Sequence, residues 1–154
     1  MFSTIILPFV FLAYLLVLAW IDLKKGLLPD TLTLSLLWLG LIVNPLLHWV
    51  SLSDAVWGAV LGYLILYAVY HLFRYFFQKE GLGFGDLKFL AALGAWLGWQ
   101  ALPRLLLIAS LSTLLVLAGL KIFKKYPQNP CIPFGPGLAF AGVCFFITHL
   151  LTFI

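Results

Sequence analysis

The sequence predicts an all-α membrane protein, a polytopic bundle of six transmembrane helices with both termini outside the cytoplasm. Three observations predict it. Of 154 residues, 64% are hydrophobic and 9% charged, with mean hydropathy +1.14, more apolar surface than one water-soluble core can hide. Uncharged runs cover 1–21, 31–53, 55–73, 89–103, 105–120 and 126–154, and a helix needs roughly 17–25 residues to cross a bilayer. Lys24, Lys25, Arg74, Lys79, Lys88, Lys121, Lys124 and Lys125 fall on one side of a six-helix path, with Arg104 alone opposite, the asymmetry that marks cytoplasmic loops.

The first run has neither a basic start nor a small-residue cleavage site, so it reads as a retained helix and not a cleaved signal. Gly26 and Pro29-Asp30 separate it from the second, and Ser51-Leu52-Ser53-Asp54 precede the third. The fourth and fifth, split by Pro103-Arg104, are short. Lys88, Lys121 and Lys124 can lend them length by snorkelling, and merging the two would break the charge pattern. Pro127, Pro130, Pro133 and Pro136 precede the sixth. Loops this short leave no room for a second domain, so 1–154 forms one integral-membrane domain. Gly58, Ala59, Gly62, Ala91, Ala92, Gly94, Ala95 and Gly98 give helices three and four faces for close approach. Trp38, Trp49, Trp57, Trp96 and Trp99 are expected at the interface or facing lipid. The net charge of +4 reflects topology and anionic lipid, and nothing in it calls for nucleic acid.

Five acids in such a chain are each in need of a reason, because a charge in lipid is costly. Asp30 and Asp54 stand where N-caps of helices two and three are expected, and Glu80 lies beside Lys79 in a loop. Asp22 has no such excuse. It closes helix one, where the negative end of the helix dipole disfavours a carboxylate, although Lys24 and Lys25 offer a structural ion pair. Asp86 opens helix four and could cap it, yet Gly81, Gly83 and Gly85 shape a flexible backbone around that one acid. Helix one runs inward and helix four outward, so both acids lie near the cytoplasmic interface. If those helices adjoin, the carboxylates can hold a water and share a proton. One then takes a proton from water while the other donates to a scissile carbonyl, which is peptide hydrolysis by general acid and base without a covalent intermediate.

Residues 20–41, with Asp22, Pro29, Asp30 and Gly40 among them, resemble the type IV prepilin peptidases, membrane aspartic proteases. Gly83-Phe84-Gly85-Asp86, followed by Leu87-Lys88, resembles their Gly-x-Gly-Asp motif, and Ile132-Pro133-Phe134-Gly135-Pro136 their late loop. The resemblance implies that Asp22 and Asp86 are the catalytic pair and that Gly83, Phe84, Gly85 and Lys88 belong to the active-site loop. It implies a bacterial inner-membrane enzyme that removes the basic leader of type IV prepilins or type II secretion pseudopilins at the cytoplasmic face, after a glycine, with no metal or cofactor. Relatives that also N-methylate the product carry an N-terminal segment with paired cysteines. The chain therefore reads as a short form with peptidase activity alone.

Other chemistries find little support. No His-Glu-x-x-His or Gly-x-Ser-x-Gly occurs, and His48, His71 and His149 map to different helix ends, too scattered for one zinc. Asp86 stands where a dinucleotide loop needs its last glycine. Cys131 and Cys144 have no zinc spacing, and Cys144 reads as a buried small hydrophobe. Two alternatives stay open: a proton- or cation-coupled carrier, whose site would be expected nearer the midplane, and a catalytically silent assembly partner of a pilus or secretion system.

Overall fold

The computed structural model describes residues 2–47, 49–78, 83–122 and 134–152. They form six α-helices, and no strand occurs among them: α1 (Phe2–Lys25), α2 (Asp30–Leu47), α3 (Leu52–Phe77), α4 (Phe84–Leu97), α5 (Leu102–Ile122) and α6 (Gly135–Thr152). Three apolar stretches are long enough to span a bilayer, Leu7–Lys25, Leu52–Phe76 and Trp99–Gly119, while Asp30–Leu46 and Gly135–Thr148 are apolar but shorter. The chain is an all-helical membrane protein. Lys79, Glu80, Gly81, Lys124, Lys125 and Cys131, all named above, lie outside the described residues.

α4 explains why one uncharged run was too short. Its 14 residues span about 21 Å at 1.5 Å per residue, and from Phe89 to Leu97 every one is buried. A helix apolar all round belongs inside protein, and this one packs most closely on α3 and α2 and also touches α6; α6 in turn packs on α1 and α5. Glycines allow the closest crossing: a Cβ on Gly58 would collide with the Gly94 carbonyl, and the reverse holds for Gly94. One turn on, a Cβ on Gly62 would lie 2.9 Å from the Leu90 oxygen. The small-residue faces of helices three and four meet as their composition suggests.

Lipid tails are as apolar as leucine, so helix association rests on packing and interhelical hydrogen bonds, each contributing about 1 kcal/mol. Asn44 Nδ2 of α2 donates to the Ala95 carbonyl at 2.6 Å, and Trp96 Nε1 donates to the Leu36 carbonyl at 2.8 Å. Trp96 corrects the expectation placed on it. It is 1% exposed, fits over Gly40 and packs tilted against Phe11 with ring centroids 4.7 Å apart, a core residue and not an interfacial one. Trp38 and Trp57 are exposed, as lipid-facing residues are.

The break between α4 and α5 also lies elsewhere than at Pro103-Arg104. Gly98, with φ +81°, closes α4 by donating its N–H to the Gly94 carbonyl at 2.8 Å. A short 3-10 turn, Trp99–Ala101, follows. Pro103 falls within the first turn of α5, where a missing N–H costs nothing. Gly26, with φ +62°, ends α1 by donating to the Asp22 carbonyl at 2.7 Å.

Two capping expectations change as well. Ser51 is the cap of α3, accepting the Asp54 N–H at 3.1 Å, while Asp54 Oδ1 accepts the Trp99 indole N–H at 2.9 Å. Asp30 is the first residue of α2, and its carboxylate pairs with Lys88 of α4 at 2.6 Å. A local rule cannot anticipate either partner, since both come from distant segments.

Candidate active site

Asp22 and Asp86 are 5% and 6% exposed, although they sit at helix ends where side chains normally reach water. Their helices run antiparallel in matched register. Phe11 meets Trp96, Asp22 lies eleven residues from Phe11, and Asp86 ten from Trp96. Those steps rise about 16 and 15 Å, so the carboxylates share one level at the opposite end of the same pair. They are close enough for the charge on Asp22 to act on Asp86. α1 and α4 meet through large side chains and through α2 and α6, not by tight backbone packing.

Each acid is held by a helix start. Asp86 is in the first turn of α4, three residues after the N-cap Gly83, where an acid can reach back to the cap N–H. Its own N–H donates to the Gly83 carbonyl at 3.1 Å. Asp22 Oδ2 accepts the N–H of Gly135, the first residue of α6, at 3.0 Å. This supplies the anion-binding end of α6 to an acid that the end of its own helix disfavours. Gly135 has to be glycine here: a Cβ would lie 2.5 Å from Asp22 Oδ2. Sequence reasoning marked the loop containing Gly135 but gave it no contact with Asp22.

The ion-pair reading of Asp22 does not hold. Lys24 Nζ sits 4.1 Å over the Trp20 ring, and the ion pair among the described residues is Lys88–Asp30. Lys88, two residues from Asp86, is engaged by Asp30, leaving two buried carboxylates at one end of the bundle, each with a backbone N–H as polar partner, Gly135 for Asp22 and Gly83 for Asp86. Like charges so placed do not both ionise.

The glycines of the turn serve different ends. Gly83 has φ −80°, so no left-handed conformation explains it, and a Cβ would make ordinary contact, 3.5 Å from Asp86 Oδ2. Gly85 is where space is tight, since a Cβ would stand 2.7 Å from that of Leu28. α4 can therefore approach the α1–α2 connection only without a side chain at 85. Phe84 is half exposed, and its ring lies tilted against Tyr70 of α3 with centroids 4.8 Å apart.

No group of three or more His, Cys, Asp or Glu able to hold a metal occurs among the described residues. His71 lies against Tyr67 and Tyr70 on α3, the side chains of His48 and His149 lie outside the described residues, and Cys144 is half-buried in α6. Asp22 and Asp86 are the buried carboxylates at this end among the described residues.

A family model described as "Type IV leader peptidase family" matches residues 9–119. A prepilin leader peptidase/N-methyltransferase of Aeromonas hydrophila is 56% identical over 128 residues, 83% of this chain and 44% of the relative. Proteins of the same description from Pectobacterium carotovorum subsp. carotovorum, 54% identical over 87% of this chain and 48% of the relative, and from Stutzerimonas stutzeri, 50% identical over 83% and 44%, are similar too. The chain spans about half the length of these relatives. No solved structure matches.

Proposed function

The chain belongs to the type IV leader peptidase family, and from that premise we propose that it is a membrane aspartic endopeptidase that removes the basic leader from prepilins or pseudopilins. The observation that carries the reading is the pair of buried, electrostatically interacting carboxylates, Asp22 and Asp86, at one end of the bundle. Sharing one proton, the pair binds a water. The ionised member removes a proton from it while the protonated member donates to the scissile carbonyl oxygen, and proton return to the leaving amine completes cleavage. Gly135 positions Asp22, and the turn from Gly83 to Gly85 positions Asp86. Lys88 acts through Asp30, and Phe84 with Tyr70 borders the way in.

The proposal includes all six helices crossing a bacterial inner membrane, with both termini outside and the acids at the cytoplasmic face, as one domain. The basic residues around that end, Lys24, Lys25 and Arg74, support this orientation. Neither metal nor cofactor enters the chemistry, so chelators are expected to leave the rate unchanged.

Co-expression with candidate prepilins and intact-mass measurement of each tests the function. Loss of the leader mass from at least one precursor is the expected result. Precursors of full mass throughout, together with cation-dependent uptake into vesicles, would replace the peptidase with a carrier.

A further inference from the structure

A second site lies at the far end of the bundle from the aspartates. A cavity of about 360 Å³ is lined by Trp49, Ser51, Asp54, Gln100, Arg104 and Phe145, with Leu97 and Ala101 behind them, within the size range of small-molecule sites. It opens where two bilayer-length stretches, Leu52–Phe76 and Trp99–Gly119, both begin, which is the level of lipid headgroups. Its composition is graded. Leu97 and Ala101 are buried at its floor, whereas Ser51, Gln100 and Arg104 are exposed at its mouth.

Its charges are of both signs. Arg104 and Asp54 line the same cavity without forming an ion pair with each other. The Asp54 carboxylate is held in place by the Trp99 indole N–H, 2.9 Å from Oδ1, and by hydrogen bonds with the Ser51 and Gln100 side chains, and so is fixed on one wall. A guanidinium presents a forked donor suited to phosphate, and a carboxylate accepts from an ammonium. An Arg and an Asp that line one cavity without pairing suit a ligand carrying both charges, and beside an apolar floor at membrane level that ligand has an acyl stem. We infer that the cavity binds the zwitterionic headgroup of a phosphatidylethanolamine-type lipid, its phosphodiester on Arg104 and its ammonium toward Asp54.

The inference is independent of the peptidase reading, since no lining residue belongs to the aspartate end. Native mass spectrometry of the whole protein, released from detergent after incubation with equal phosphatidylethanolamine and phosphatidylglycerol, tests it. The wild-type protein is expected to retain phosphatidylethanolamine preferentially. Arg104→Gln and Asp54→Asn should each cut that retention roughly tenfold, the loss of one charge-assisted contact. Lys121→Gln, at the other end of α5, should retain the lipid like wild type and controls for general loss of charge. Thermal unfolding of each variant separates a lost ligand from a lost fold. Soluble sn-glycero-3-phosphoethanolamine that displaces the lipid would assign recognition to the head alone, and failure to displace it would assign the acyl stem a share. Equal retention by all variants, or phosphatidylglycerol held as well as phosphatidylethanolamine, would overturn the inference.

Discussion

Gly135 lacks a side chain because the Asp22 carboxylate occupies the place one would take. Gly135→Ala is therefore expected to push Asp22 from its position. A displacement of about 1 Å costs on the order of 10²-fold in rate, to be read as the initial rate of precursor cleavage. Gly83→Ala, whose new Cβ meets Asp86 at 3.5 Å, should stay within a few-fold of wild type, and the reverse order would mean that the Asp22–Gly135 contact does not serve catalysis. A pair sharing one proton also predicts a two-sided pH profile: the rate falls on the acid side as both carboxylates protonate and on the alkaline side as both ionise. A rate that climbs to a plateau and stays there would point to a single titrating group. The two acids were legible in the sequence because a charge in an apolar run has to be explained. Gly135 was not, since its contact with Asp22 spans most of the chain.

The head of α4 is fixed by two contacts with the α1–α2 connection and α2: Gly85 against Leu28, and Lys88 with Asp30. Partly exposed ion pairs contribute at most about 1 kcal/mol, so the pair serves position more than stability. Asp30→Lys sets two like charges at the head of α4 and is expected to lower cleavage roughly tenfold. Combining it with Lys88→Asp should recover most of the rate with little change in unfolding temperature. A double variant as slow as the single one would show that the position of each charge matters and not the pairing. At this scale the sequence located every helix but misplaced one junction. A proline reads as a breaker, and only the backbone shows that Pro103 starts a helix while Gly98 ends one. Asp30 read as a cap for a similar reason, because its partner, Lys88, lies on a helix far along the chain.

Across the whole molecule, charge placement is the basis for the proposed orientation, whereas the burial of α4 was not legible in the sequence: an apolar helix facing lipid and one enclosed by protein have the same composition. The six-crossing orientation predicts that Ser51→Cys, in a variant without Cys131 and Cys144, reacts with an impermeant maleimide in intact cells. Gln78→Cys should react only after permeabilisation, and labelling in the opposite sense would invert the topology. The account as a whole rests on Asp22 and Asp86 acting as one unit. Its most direct test is the cleavage rate of a synthetic precursor by protein in vesicles, compared among wild type, Asp22→Asn, Asp86→Asn and the double variant. Each single change is expected to lower the rate by roughly 10²–10⁴-fold, with the double variant no slower than the singles; either single variant cleaving at the wild-type rate would contradict the account.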